Sequence, residues 1–385
     1  MKKIIAIDIR LLGKKRTGDE RVFFNLTKAL LALDKENSYV LLTDIVEPQK
    51  IAVIQGELAC VGQENVRFVS LSGRNRFVWN LFTLPWFLLR HPVDIYHTQY
   101  ILPLWIPART AAVTHIHDVS FAAYPNYIGL VDRFFLTLLI PRALRKAALV
   151  IAPSQFTKEE IIRFYHISAE KIAVIPNALS GDFLLAASDD RQEQIREHYK
   201  LPQPFLLYVG TLQPRKNIPF LIDAFSLLKA RLPGYALVVV GNRLAHHVDR
   251  HIAAALARSA YRTDIFFPGY VEERDLPGLV GSAQLFVFPS LYEGFGIPLL
   301  EAMSQDVPVV AADIPCAREI ARDAAVYFDP RNLASCAEKM YTLSTDQEQR
   351  AYAITKGKMR LSLYSWEKSA ILLLEVYRAV RCIAK

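Results

Sequence analysis

The stretch from Pro289 to Met303, PSLYEGFGIPLLEAM, sets two carboxylates, Glu293 and Glu301, eight residues apart around a loop that contains two glycines and a proline. The apolar run before it, AQLFVFPS, predicts a buried strand. Gly294 and Gly296 permit a sharp turn and close backbone approach, and Pro298 suits the first turn of a helix, where its missing N–H leaves nothing unsatisfied. Strand, tight loop and helix start therefore follow in order. Such a loop offers unpaired backbone N–H groups at the positive end of a helix dipole, which is a site for an anion. Glu293 stands at the strand's carboxyl end, the edge of an open α/β sheet where ligands bind. An acid in a helix's first turns is also ordinary dipole chemistry, so Glu301 has a structural reading beside the functional one. Capping does not account for Glu293.

Four further groupings could do chemistry. In YVGTLQPRKNIPFLIDAF a strand ends at Gly210, and Arg215, Lys216 and Asn217 open a helix. Adjacent cations there gain nothing from the dipole and make sense if a phosphate sits between them; the alternative is a solvated basic turn. In TGDERVFFNLTKAL, Gly18 follows the first strand and would let a phosphate approach a helix start, or belongs to an ordinary surface loop. VTHIHDVSF ends an apolar strand with His117 and Asp118, and DIYHTQY offers His97 in a similar place. A strand-end histidine can donate a hydrogen bond or carry a proton, or it can be a satisfied core residue. HHVDRH puts His247 and His251 one turn apart with Asp249 between them, a metal pair with no evident third ligand.

The elements that must position these residues alternate throughout. KIIAIDI, SYVLLTD, VRFVSL, VDIYHT, AAVTHIHD and ALVIAPS read as strands in the first half; FLLYVGT, YALVVVG, DIFFPGY, AQLFVFPS, VPVVAAD and AAVYFDP read as strands in the second. Continuous apolar strands separated by helices predict parallel sheets covered on both faces, here two doubly wound domains of six strands each. The seam is expected in VIPNALSGDF, where Pro, Asn, Ser and Gly cluster, giving domains at 1–180 and 181–365. The final segment, 366–385, is a helix with an apolar stripe that seeks a partner. Ligands are expected at the carboxyl ends of both sheets, in a cleft between the domains.

Bulk properties narrow the classes. The 385 residues are 52% hydrophobic and 22% charged, enough to build two cores. No apolar run reaches the length of about 18 needed to span a membrane. Asp8 and Arg10 break the first apolar run too early for a signal peptide. Cys60, Cys316, Cys336 and Cys382 are scattered without CxxC spacing, which favours a reducing cytosol. The net charge of +8 is concentrated: residues 1–180 hold 22 Lys and Arg against 15 Asp and Glu. No nucleic-acid motif accompanies that excess. The segments RNRFVWNLFTLPWFLLRH and DRFFLTLLIPRALRKAA combine aromatic and cationic residues, as an interfacial membrane face does and as a buried helix with solvated ends also does. G-x-G-x-x-G after a strand, the Walker A pattern and D-x-D are all missing from the sequence.

Taken together, Gly18, the HD pair at 117–118, GTLQPRKN, FPGYV, FVFPSLYEGFGIPLLEAM and VPVVAADIP resemble the retaining GT-B glycosyltransferases of family 4. The resemblance covers nearly the whole chain and is strongest from Phe205 to Pro330. It looks most like the bacterial branch that builds polysaccharides and O-antigens, with mannose or rhamnose. It implies a GT-B fold, an acceptor-side first domain, a nucleotide-sugar-binding second domain, and a final helix packed back on the first. It implies a metal-independent hexosyl transfer without a cofactor, from a GDP-mannose-like nucleotide-sugar donor to a glycan or lipid-linked acceptor, with domain closure excluding water. Residue by residue, Glu293 would contact the donor sugar and Glu301 the ribose hydroxyls. The backbone N–H groups of Phe295, Gly296 and Ile297 would meet sugar hydroxyls or diphosphate. Arg215 and Lys216 would neutralise the leaving diphosphate, Gly18 would let it approach, and His117 would stabilise positive charge on the sugar. Tyr270 and Val271 would lie along the base. Two departures stand out: Thr211 replaces the arginine usual after the strand glycine, and the first loop reads TGDER where glycines are usual. A cytoplasmic enzyme, peripheral on an anionic membrane surface and without nucleic-acid partners, is expected. The rivals are an epimerase of the same fold and a non-catalytic nucleotide-sugar-binding protein.

Overall fold

A computed structural model describes every residue except 1, 15–17, 74, 128, 244–246 and 381–385, with the backbone alone at 76, 130–132 and 134. Thr17, Arg74 and Cys382, named above, lie outside the described residues. The chain divides into two compact units, one of Met1–Ala122, Leu130–Ala178 and Ser365–Lys385, the other of Ala123–Gly129 and Leu179–Tyr364.

The first unit holds a sheet of seven strands: β1 (Ile4–Asp8), β2 (Ser38–Thr43), β3 (Val66–Ser70), β4 (Ile95–Gln99), β5 (Ala111–His115), β6 (Leu149–Ala152) and β7 (Ile172–Val174). Their order is β3-β2-β1-β4-β5-β6-β7, and every pairing is parallel, with Ile7 of β1 opposite Leu41 on one side and His97 on the other. Six strands are expected here and seven form. β7 is three residues long, sits at the sheet edge beside β6, and falls in the stretch leading into the expected seam, so its apolar run is too brief to register.

Helix α1 (Gly18–Leu33) shows why the strands are buried: Phe23, Leu26 and Leu30 form one apolar stripe that packs with Ile5, Ile7 and Ile95. Asp8 ends β1 nearly buried because Arg10 pairs with it at 2.8 Å and the Tyr96 hydroxyl donates to it at 3.1 Å; the same guanidinium lies over the Trp79 ring at 4.3 Å. The aromatic segment that follows divides. Trp79 is core, while Trp86 on α2 (Leu84–Arg90) is 57% exposed. Helix α3 (Leu130–Lys146) divides likewise, burying Ile140 and Leu144 and exposing Leu138.

The second unit holds β8 (Phe205–Val209), β9 (Ala236–Val240), β10 (Ile265–Gly269), β11 (Leu285–Phe288), β12 (Val309–Ala312) and β13 (Ala325–Phe328), all parallel, in the order β10-β9-β8-β11-β12-β13. Helices α4 (Ile218–Arg231), α5 (Ile297–Ser304) and α6 (Pro315–Ala321) follow β8, β11 and β12. In both sheets the chain first builds outward from one central strand and then returns to its other side. The reversal falls between β1 and β4 in one sheet and between β8 and β11 in the other, which are the topological switch points where such sheets take ligands.

The chain ends on α7 (Trp366–Ala379), capped by the Ser365 hydroxyl, which accepts from the Lys368 amide at 3.2 Å. Leu373, Val376 and Tyr377 bury against the first unit's core, and the Ser369 hydroxyl donates to the Pro176 carbonyl at 2.6 Å. Among the described residues no helix is long and apolar enough to cross a membrane.

Candidate functional site

The switch point of the second sheet carries a charged cluster. After β8 the chain makes a short 3-10 turn, Pro214–Lys216, and Asn217 takes a left-handed conformation before α4 starts at Ile218. Arg215 and Lys216 therefore stand before the helix and not within its first turn, because Asn217 separates the turn from the helix. The β8 end is tight. A side chain at Gly241 would come within 2.4 Å of the Gly210 carbonyl, and one at Gly210 within 2.7 Å of the Tyr208 hydroxyl, which itself donates to the Thr211 carbonyl at 2.7 Å. Thr211 thus contributes backbone where an arginine is usual in the resembling family.

After the adjacent strand β11 comes Glu293, 7% exposed. Arg215 Nη1 donates to its Oε2 at 2.8 Å and to the Tyr292 carbonyl at 3.0 Å. The Lys216 ammonium and the Ser290 hydroxyl both donate to Oε1, the latter at 2.7 Å. The Leu291 amide bonds to the Arg215 carbonyl at 2.8 Å, so the two loops are joined by backbone as well. Burial alone would raise the carboxyl pKa, but Lys216, Arg215 and the Ser290 hydroxyl overcome it and hold Glu293 down to about 2. Two cations thus meet one carboxylate in a largely desolvated place.

Beyond Glu293 the loop turns into α5. Gly296 caps that helix with φ +96°, a left-handed value that favours glycine. The Phe295 carbonyl accepts from the buried Cys316 thiol of α6 at 2.9 Å, and the Phe295 ring meets Tyr364 edge-on at 5.6 Å. The Ile297 amide opens α5 ahead of the helix's own hydrogen bonds, a place that suits an anion; Pro298 has no N–H, and the Leu299 amide donates to the Gly296 carbonyl at 3.0 Å. Glu301 lies one turn on, buried. Val271 is buried in the same unit's core and Tyr270 is 72% exposed; both follow the edge strand β10, two strands removed from β8.

The first sheet carries a different cluster at its switch point. His97, His115 and His117 lie in a row, with ring centroids 6.4 Å apart for the first pair and 4.3 Å for the second, each nearly parallel. Phe23 of α1 packs edge-on against His97, whose Nδ1 lies 2.7 Å from the Tyr377 hydroxyl. His117 Nε2 lies 2.7 Å from the Gln99 side-chain oxygen. Burial lowers all three pKa values: His97 to about 3, His115 well below the ordinary range, and His117 less completely, since Asp19 and Asp118 act the other way. Asp19 of the TGDER loop thus acts electrostatically on His117. Gly18 opens α1 in open space, with nothing within 4 Å of where a side chain would begin.

The structure therefore brings together Arg215, Lys216 and Glu293, with the Phe295–Ile297 loop and Glu301 following in the same unit, and it joins His117 to His97. Sequence reasoning missed Ser290, His115 and Gln99. The signal for the last two was present, since 97 and 99, and 115 and 117, alternate at the spacing that places strand residues on one face. The pair His247 and His251 gathers no third ligand: among the described residues no group of three or more His, Cys, Asp or Glu could hold a metal ion. Asp249 instead accepts the His251 amide at 2.9 Å.

Two doubly wound parallel sheets in succession are the architecture of the GT-B fold. Residues 16–183 match the family model Glycosyltransferase Family 4, and residues 190–360 match Glycosyl transferases group 1. The chain is 31% identical over 296 residues to O-antigen chain mannosyltransferase B of Escherichia coli, covering 76% of each protein. It is 28% identical over 281 residues to the serotype-specific mannosyltransferase WbdA of Escherichia coli, spanning 33% of that longer protein's length. The structure of Anabaena HepE, solved with UDP and glucose, matches with a TM-score of 0.75 at 19% identity, over 98% of this chain and 100% of that one. The chain belongs to the family 4 GT-B glycosyltransferases, in the branch of the bacterial O-antigen mannosyltransferases.

Proposed function

We propose that this enzyme is a retaining, metal-independent hexosyltransferase that moves mannose from a GDP-mannose-like donor to a glycan or lipid-linked acceptor in bacterial surface-polysaccharide synthesis. The observation that carries the reading is the Arg215–Lys216–Glu293 cluster at the switch point beside the start of α5. Preorganised cations in a desolvated site stabilise charge that develops on a leaving group, which is the role a bound metal has in other transferases. Arg215 and Lys216 would neutralise the departing diphosphate. The amides of Phe295, Gly296 and Ile297 would bind its oxygens or the sugar hydroxyls. Glu301 would accept from the ribose hydroxyls, Glu293 would meet the sugar, and Tyr270 and Val271 would lie along the base. Gly18 and His117 would serve the reacting end from the first unit, with the acceptor hydroxyl attacking the face the nucleotide leaves and the departing phosphate oxygen taking the proton. The mannose assignment rests on the names of the relatives.

The test is incubation with GDP-, UDP-, ADP- and dTDP-sugars and a mannose-terminated oligosaccharide, in the presence of a chelator, with product stereochemistry read by NMR. Turnover of one donor to nucleoside diphosphate with an axial product linkage is expected from GDP-mannose. An inverted linkage, a chelator-abolished rate, or an epimerised donor would each refute its part of the reading.

We further propose that the enzyme works in the cytoplasm, peripherally on an anionic membrane surface. Leu81, Phe82, Trp86, Leu89 and Trp105 line one exposed apolar depression of about 480 Å³ on the first unit. Arg90 stacks on the Trp86 ring at 4.1 Å. From residue 71 to residue 117 the sequence holds four arginines and one acid, Asp94, whose carboxylate is taken by the Ile4 amide at 2.7 Å. Aromatic side chains rimmed by cations suit a headgroup layer, each cation contributing roughly 1 kcal/mol on an anionic bilayer. Sedimentation with anionic vesicles should be salt-sensitive and lost in Trp86→Ser with Trp105→Ser; equal sedimentation of that variant would reject this face.

A further inference from the structure

The row of imidazoles is built by backbone register. Gln99 of β4 lies opposite His115 of β5, and the chain then turns at Tyr100, a left-handed residue with φ 55° whose amide bonds the His115 carbonyl at 2.9 Å. The Ile101 amide closes the turn on the Gln99 carbonyl at 2.6 Å. This leaves the Gln99 side chain 2.7 Å from His117 Nε2, while the Tyr100 ring packs against His117 at 5.6 Å on one side and His115 stacks at 4.3 Å. His117 Nδ1 and both nitrogens of His115 are buried and without a hydrogen-bond partner among the described residues.

We infer that Gln99 is a positioning residue: its side-chain oxygen accepts the Nε2–H of His117, fixing the ring as the neutral Nε2–H tautomer with the lone pair on Nδ1. A proton added at Nδ1 would be buried without an acceptor and stacked on a second imidazole, so the ring stays neutral although Asp19 from α1 and Asp118 from the following loop favour its charged form. His97, His115, Tyr100 and Tyr377 also pack along the row. The consequence rests on the transferase reading. A sugar losing its leaving group gathers positive charge, and an imidazolium beside it would oppose that charge where a neutral ring does not.

The test reads the ring directly. Protein labelled with ¹⁵N-histidine, with His117 assigned by comparison with His117→Asn, should show a pure Nε2–H tautomer at pH 7.5 in two-bond ¹H–¹⁵N correlation spectra. Gln99→Met, close in shape but unable to accept, should give a tautomer mixture and about a tenfold lower kcat with donor KM within twofold. Gln99→Glu should restore Nε2–H and move the acidic limb of the pH–rate profile to higher pH, because a carboxylate favours the imidazolium. A wild-type ring that is Nδ1–H or mixed, or a Gln99→Met ring still purely Nε2–H, overturns the inference. The wild-type readout needs only the assignment variant His117→Asn to fold, and does not depend on Gln99→Met. If that spectrum is as expected but no nucleotide sugar turns over, the transferase reading fails and the role of Gln99 on the ring stands.

Discussion

The two sheets place buried polar groups at equivalent points, the carboxyl ends flanking a switch in strand order, and treat charge there in opposite ways. Glu293 is ionised; His97, His115 and His117 are neutral. Burial penalises charge in both places. In the second unit two cations and a hydroxyl reach the carboxylate within hydrogen-bond distance and reverse that penalty. In the first unit the rings mostly face one another, and only Asp19 and Asp118 act against burial, at His117 and without overcoming it. The difference teaches that strand-end position makes a site available, and that the neighbours reaching it decide whether it holds charge or excludes it. One sheet gathers cations around its buried carboxylate, and the other keeps its buried rings neutral.

The largest expected effect breaks the charged cluster. Lys216→Ala should cost at least about 2 kcal/mol of transition-state stabilisation, roughly thirtyfold in kcat/KM, with Arg215→Ala similar. Unchanged kinetics in both variants would remove the diphosphate assignment. Glu293→Gln comes next. The substitution removes one negative charge from beside both cations, so affinity for nucleoside diphosphate should rise several-fold while kcat falls about tenfold, read by calorimetry and steady-state kinetics.

Acid should separate the two units. Imidazoles with depressed pKa values stabilise the fold above their unfolded value of 6.5, and that stability is lost as pH falls toward about 3, the value for His97. Glu293 contributes only above its unfolded value of 4.5, and that contribution is lost toward about 2. Between pH 6.5 and 4.5 the first unit should therefore lose roughly 1 kcal/mol for each pH unit through His97, with His115 adding in the same direction, while the Glu293 contribution holds. Hydrogen exchange at pH 7.5 and 5, corrected for intrinsic rates, should show β4 and β5 losing protection before β8 and β11. Simultaneous loss would contradict the contrast. The smallest effect belongs to Glu301→Gln, which should weaken nucleotide binding about fivefold, near 1 kcal/mol, and change kcat little.

Much of this was legible in the residues because the relevant signals are local. Continuous apolar runs marked twelve of the thirteen strands, and only the three-residue β7 was too short to see. The loop glycines and the Arg215–Lys216 pair marked the strand ends at which the charged cluster forms. What could not be read was pairing across the sequence. That Glu293 binds both cations depends on β8 lying beside β11, a neighbour relation between residues 77 and 78 positions apart. The burial of Trp79 and exposure of Trp86, seven residues on in one aromatic run, likewise follow from which side of the chain meets the core. His115 was overlooked although it alternates with His117, because it sits inside an apolar run that reads as core.

The central claim is that Arg215 and Lys216, held by Glu293, form a diphosphate anchor. Calorimetric titration of GDP into the wild type, Lys216→Ala and Glu293→Gln tests it most directly. The account predicts binding in the wild type, at least tenfold weaker binding in Lys216→Ala, and tighter binding in Glu293→Gln. Equal affinity in all three proteins, with each shown folded by circular dichroism, would contradict it.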